Sequence, residues 1–236
     1  MTDQGACADT YVSVVVPLYN SEFSLCLLYQ GITDSLEAFR SWEIIFIDDA
    51  STDRTPMIAQ KLADSDSRVK YHRLRQNQGQ SHATIVGLRL SRGMRIVTID
   101  DDLEQPPEWI PHFFEMIDRG YEVAIARFQN NSHSQLRRLG SFIVGWVWRY
   151  LYGAGELTIT SYKAFNRDAL DAVLAHVTNT TWSLAYSILK TIPAERLINI
   201  DVPHGKRVSG RSNYGLIKLV RKFMVIIRLA VAPPTS

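Results

Sequence analysis

Short apolar runs and helical repeats alternate along the first half of the chain. Residues 11–17 (YVSVVVP) form an apolar run closed by proline, and residues 42–47 (WEIIFI) form a second. Runs of this length between turn residues predict buried strands. Residues 69–74 alternate and predict a third strand, residues 96–99 (IVTI) a fourth and residues 121–126 a fifth. Between them, apolar residues recur at helical spacing. Phe23, Leu27, Ile32, Leu36 and Phe39 mark a helix within residues 22–39. Met57, Ile58 and Leu62 mark a second, which Ser51 or Asp53 would cap. Residues 81–90 and 110–117 complete the series. Such alternation predicts an α/β domain with a mainly parallel sheet.

The second half is less regular. Residues 136–151 (LRRLGSFIVGWVWRYL) predict an aromatic-rich helix bracketed by arginines, and residues 158–165 a returning strand. A helix follows from residue 166 to 174, a short one over 182–189, and a strand over 198–202 closed by Pro203. Residues 205–214 (GKRVSGRSNY) form a basic, glycine-containing loop, and residues 215–232 a basic amphipathic helix. The organisation expected is a polar, flexible N-terminus (1–10), one domain (11–204), and a basic loop with its helix (205–236).

Composition narrows the class. A 236-residue chain with 46% hydrophobic residues can bury a core, and a net charge of +2 favours no polyanionic partner. Two cysteines, Cys7 and Cys26, make neither a metal spacing nor a disulfide framework. The polar N-terminus has no apolar signal core, and no apolar stretch reaches the ~20 residues of a membrane span. Nothing resembles a nucleic-acid-reading surface.

Chemistry concentrates where strands end. In a parallel sheet, ligands bind beyond the carboxyl ends of the strands. Here Tyr19-Asn20 follow the first strand, Asp48-Asp49 the second, and Asp100, Asp101 and Asp102 the fourth, with Glu104 close behind. Crowded carboxylates repel unless water or a cation screens them. Mg²⁺ takes only one or two protein carboxylates and completes its shell with substrate phosphates. Plainer readings exist. Asp48 and Asp49 would cap turns, Tyr19 would pack in the core, and His82 and His204 are read as structural.

The segments VVVPLYN, IDDASTDRT, NQGQSHA and IDDDLEQPPEW, in this order, resemble the inverting family 2 glycosyltransferases of GT-A (Rossmann-like) fold. SYKAFNRDAL and VPHGKRVSGRSNYGLIKL extend the resemblance to polyprenyl-phosphate sugar transferases, relatives of dolichol-phosphate mannose synthase. The resemblance implies that Pro17 and Tyr19 border the nucleotide base and that Asp49 hydrogen-bonds it. Asp100 would contact the ribose or lie near the metal. Asp102 would ligate Mg²⁺ or Mn²⁺, with Glu104 as a second metal contact. Arg207, Arg211 and Ser212 would hold the diphosphate, so catalytic roles fall on Asp102, Arg207 and Arg211. Ser21 replaces a glutamate common in relatives, which removes the ribose contact or moves it to Glu22. Ser161 replaces an aspartate or glycine.

The implied reaction moves a hexose from a nucleotide-diphosphate sugar to a polyprenyl phosphate at the cytosolic membrane face. A lipid phosphate arrives ionised and needs little help, whereas a hydroxyl acceptor needs a general base. Ser161 cannot be that base, though Glu156 could. The alternatives are a transferase extending a cell-surface glycan and, from another class, a non-catalytic nucleotide-sugar-binding protein. The expected setting is cytoplasmic and peripheral. The basic helix would hold an anionic membrane surface through Lys218, Arg221, Lys222 and Arg228. Residues 141–151 are read as either an interfacial helix or plain core, and self-association is a further expectation.

Overall fold

The apolar runs assemble into one seven-stranded sheet of order β3-β2-β1-β4-β6-β5-β7. The computed structural model describes residues 11–129, 157–177 and 184–205, all within one compact unit. The predicted N-terminal segment, the 136–151 helix, the basic loop beyond Gly205 and the C-terminal helix lie outside these residues.

β1 (Val12–Leu18) and β2 (Trp42–Asp48) are buried along their whole length. That is why they read as continuous apolar runs, since both faces of a parallel sheet are covered by helices. β3 (Val69–Arg73) lies at the sheet edge and grades from buried at Val69 to exposed at His72 and Arg73. β4 (Arg95–Thr98) pairs in parallel with β1. β5 (Val123–Gln129) pairs in parallel with β7 (Leu197–Pro203). β6 (Lys163–Asn166) runs antiparallel to both β4 and β5.

Side chains alternate across the sheet and divide the core in two. Val14, Val16, Ile44 and Phe46 face α1 (Leu25–Ser35), α2 (Thr55–Ser65) and α4 (Ile110–Asp118). Val15, Ile45, Ile47 and Ile96 face α3 (Gln80–Leu90), α5 (Arg167–Ala175) and α6 (Leu184–Thr191).

The returning strand is shorter than the sequence suggests. Residues 158–165 alternate, yet only Lys163–Asn166 join the ladder. Thr158 donates its amide to the Asn199 side chain at 2.8 Å, and Thr160 Oγ1 donates to the Ala126 carbonyl at 2.9 Å. Side-chain bonds take the place of the ladder there. The consequence is functional: because β6 is antiparallel, the residues just before it, Ser161 and Tyr162, lie beside the carboxyl end of β4. The β7 terminus reaches the same edge.

Asp66, at the end of α2, ties three elements together. It accepts bonds from Tyr29 Oη at 2.9 Å, from Arg68 Nε and Nη2 at 2.9 Å each, and from the Arg68 amide. The Arg68 guanidinium lies 3.7 Å from the centre of the Trp42 ring. The Arg68 hydrogen bonds, with help from Tyr29, hold the carboxyl down to about 2, although burial opposes them. An aspartate depressed below its ordinary ~3.9 stabilises the fold above that value. The contribution disappears as pH falls through the folded value. Asp66→Asn should therefore cost about 1 kcal/mol at pH 7, the upper range for a surface pair. The gap from the unmodified chain should close between pH 4 and 2. Urea denaturation across that range measures it.

Candidate active site

Three parallel strands deliver their carboxyl ends to one edge, with Leu18 opposite Asp48 and Asp48 opposite Arg73 in register. Each of the turns after β1, β2 and β4 contains a residue with left-handed backbone that is not glycine: Asn20 (φ 55°), Ala50 (φ 59°) and Leu103 (φ 63°). Such residues are uncommon, and the surroundings must hold them in place. The Asn20 side chain helps, since its Oδ1 accepts the Thr52 amide at 2.8 Å while its own amide donates to Ser51 Oγ at 3.0 Å.

Pro17 is buried within β1, whereas Tyr19 is 38% exposed, so the core-packing reading of Tyr19 fails. Asp48 is a buried turn former. Its Oδ1 accepts the Ser51 amide at 2.8 Å and its Oδ2 accepts Tyr71 Oη at 2.9 Å; burial pushes the Tyr71 hydroxyl well up, and the bond to Asp48 adds to the shift. Asp49 is also buried. Its two oxygens accept the amides of Gln78 (2.8 Å) and Gly79 (2.7 Å). It thereby holds the turn before α3, where Gly79 adopts φ 92°, a conformation that favours glycine. Glu22 turns toward α2 and accepts from Arg54 Nε at 3.0 Å. Asp53 Oδ1 accepts the Thr55 amide at 2.9 Å, but Asp53 lies one residue before the N-cap, which Arg54 occupies without a side-chain bond, so neither Ser51 nor Asp53 is the cap.

The three consecutive aspartates point to three different sets of donors. Asp100 accepts Gln80 Nε2 on Oδ1 at 2.6 Å, and Gln105 Nε2 (2.7 Å) and Ser161 Oγ (2.6 Å) on Oδ2. Burial pushes its carboxyl up to about 6, with Asp102 and Asp101 adding to the shift, while the Ser161 bond and Lys163 oppose it. Asp101 accepts the Tyr19 amide at 2.9 Å and the Ser21 hydroxyl, and its carbonyl accepts Ser24 Oγ at 2.6 Å. Ser21 thus braces the acidic turn from α1's side. Burial raises Asp101 as well. Asp102 Oδ1 accepts the Glu104 amide at 3.1 Å within its own turn.

Glu104 meets the end of β7. His204 Nε2 lies 3.9 Å from Glu104 Oε2, its ring is 5.1 Å from that of Phe128, and the Gly205 amide donates to the Glu104 carbonyl at 2.8 Å. His204, read as structural from the sequence, borders the site. A Cβ at Gly205 would stand 2.5 Å from the Leu103 carbonyl oxygen, so only glycine fits this contact. Arg207, Arg211 and Ser212 lie outside the described residues.

Sequence reasoning missed Gln80, Gln105, Ser24 and Gly205. Both glutamines sit inside motifs singled out for their neighbours, but an uncharged amide gives no signal beside so many acids.

Among the described residues no group of three His, Cys, Asp or Glu side chains closes around a metal position. The donors present still fit a hard divalent cation. Asp102 and Glu104 offer carboxylate oxygens, and Mg²⁺ needs only one or two of these when a diphosphate supplies the rest.

Comparisons with known proteins converge on one family. The model described as "Glycosyl transferase family 2" matches residues 13–184. The undecaprenyl-phosphate 4-deoxy-4-formamido-L-arabinose transferase of Aeromonas hydrophila is 31% identical over 229 residues, 94% of this chain and 68% of that protein. The Pectobacterium atrosepticum enzyme of the same name is 32% identical over 226 residues, with the same coverage. Among solved structures, glucosyl-3-phosphoglycerate synthase from Mycobacterium tuberculosis, in complex with Mn²⁺, UDP and phosphoglyceric acid, superposes with a TM-score of 0.73. At 15% identity, over 96% of this chain and 80% of that one, it shows a shared fold.

Gly205→Ala should push the β7 end off the acidic turn. Overpacking typically costs 1–3 kcal/mol, so thermal unfolding should show a Tm lower by several degrees.

Proposed function

The chain belongs to glycosyl transferase family 2 and is a glycosyltransferase, and from that premise we propose that it transfers a sugar, with inversion, from a nucleotide-diphosphate donor to a polyprenyl phosphate. The relatives named as undecaprenyl-phosphate transferases support this acceptor. The observation that carries it is the engagement of Ser161. Its hydroxyl donates to Asp100 at 2.6 Å and accepts from Gln105 at 2.8 Å, at a position where the family resemblance implies an aspartate or a glycine. A hydroxyl tied into that network abstracts no proton. An acceptor that arrives as a phosphate anion needs none abstracted.

On this reading the donor lies across the carboxyl edge. Asp49, Pro17 and Tyr19 border the base, with Glu22 nearby. Asp100 meets the ribose. Asp102 and Glu104 would hold Mg²⁺ or Mn²⁺. When bound, the cation stabilises negative charge on the departing diphosphate. Arg207, Arg211 and Ser212 follow Gly205 in sequence, and Gly205 is pinned to the acidic turn by its bond to Glu104. The turn and the start of the basic loop therefore share an anchor. Arginine suits a diphosphate because its planar fork donates paired hydrogen bonds.

A lipid acceptor brings the protein to a membrane surface. No helix among the described residues is long and apolar enough to cross a bilayer. We assign the contact to the basic C-terminal segment, at the cytosolic face. The 4-deoxy-4-formamido-L-arabinose of the relatives is the first sugar to try, and UDP the first nucleotide.

Two outcomes test the site. Asp102→Asn should abolish Mn²⁺-dependent binding of UDP in isothermal titration while leaving thermal unfolding unchanged. Equal affinity in the variant would remove Asp102 from the metal site. Arg207→Ala and Arg211→Ala should lower kcat by roughly 10²-fold or more, the scale of losing one charge-stabilising donor, with a smaller change in donor affinity. A rise in KM at constant kcat would mean that the loop only binds.

A further inference from the structure

Gln105 is buried and makes three bonds with one amide group. Its Oε1 accepts the Asp100 amide at 2.9 Å, and its Nε2 donates to Asp100 Oδ2 at 2.7 Å and to Ser161 Oγ at 2.8 Å. Ser161 Oγ donates to the same Oδ2 at 2.6 Å. Asp100, Gln105 and Ser161 thus form a closed ring that grips the aspartate by its backbone and by one carboxylate oxygen. A carboxylate oxygen has two lone-pair sites, and both on Oδ2 are taken. The other oxygen, Oδ1, is met differently. Its bond, at 2.6 Å, comes from Gln80, an exposed side chain on the first turn of α3.

The main chain reinforces the grip. Thr98, two residues before Asp100, donates Oγ1 to the Ser161 carbonyl at 2.5 Å and stands opposite Lys163 in the β4–β6 register. Residues directly opposite in an antiparallel pair share a face, so Lys163, a buried cation, lies on the same side of the sheet as Thr98. The Lys163 charge acts on the Asp100 carboxylate and favours the ionised form. Neither Gln105 nor Lys163 has a part in the transfer chemistry described above.

We propose that Gln105 and Ser161 are positioning residues for donor binding: they fix the Asp100 carboxylate through Oδ2, so that Oδ1 alone is presented to a ribose hydroxyl, which joins or displaces the Gln80 amide. The inference rests on the nucleotide-sugar reading of the site. It gives Ser161 a role that a hydroxyl can fill. The hydroxyl here orients a neighbour. It also gives Gln80 a function, as the exchangeable partner that occupies Oδ1 before the donor arrives. Functional groups held by locked neighbours bind better than free ones.

The proposal predicts a specific pattern of coupling. Residues that act through a common partner lose their effect when that partner is gone, whereas independent effects add. The experiment is isothermal titration of UDP with Mn²⁺ into the full chain and its Gln105→Ala, Ser161→Ala, Asp100→Ala and Asp100→Ala/Gln105→Ala variants. Thermal unfolding of each chain runs alongside. Gln105→Ala should weaken UDP binding about tenfold and Ser161→Ala less. In the Asp100→Ala background, Gln105→Ala should add less than about twofold. If Gln105→Ala fails to fold, the same cycle with Ser161→Ala decides the matter, since that change removes one Oδ2 donor and little volume. An equal loss in both backgrounds, or UDP binding that ignores both substitutions, would overturn the positioning role and leave the donor reading intact. An unmodified chain that binds neither UDP nor GDP with Mn²⁺ would overturn both.

Discussion

Three adjacent carboxylates at the end of one strand are the constraint on which the site depends. At contact distance such charges repel, and the repulsion grows as water is removed. The fold relieves it by giving each aspartate its own donors from a different element. Asp100 is satisfied by α3, the turn before α4 and the segment before β6. Asp101 is satisfied by the turn after β1 and by Ser21. Asp102 is held by its own turn. Each donor set fixes the position of a neighbouring segment, so the acidic triplet organises the whole carboxyl edge.

This arrangement explains where strain and tight contacts occur. The left-handed residues Asn20, Ala50 and Leu103 all fall in turns that face the triplet or brace it. Gly205 is needed because the end of β7 is drawn against the carbonyl of Leu103. Among the described residues the strands themselves hold no left-handed residue, and their buried side chains form two apolar layers. Rigid layers carry the turns, and the turns carry the chemistry, as in other α/β proteins that bind ligands beyond their strands.

Much of this was legible in the sequence, for physical reasons that can be named. β1, β2 and β4 announce themselves because strands buried on both faces must be continuously apolar. Aspartate then marks where β2 and β4 give way to their turns, whereas Pro17 lies one residue inside β1. Charged residues at strand ends are conspicuous for the same reason, so Asp49, Asp100 and Asp102 stand out as candidates. The antiparallel β6 was harder. Its alternating residues extend to Thr158, and only tertiary contacts with Asn199 and Ala126 show that the ladder ends at Lys163. Gln105 was invisible because an amide's importance depends on partners that lie 56 positions away, at Ser161. His204 has no metal-ligand spacing in the sequence, and its place beside Glu104 follows from β7 ending at the same edge as β4.

The account's central claim is that the acceptor's own charge replaces a general base. The most direct measurement compares undecaprenyl phosphate with undecaprenol as acceptor, in detergent with Mn²⁺ and the UDP-sugar that the chain binds, following UDP release and the lipid product. The account predicts turnover with the phosphate and none above background with the alcohol. Comparable turnover with the alcohol, or release that needs neither lipid, would contradict it.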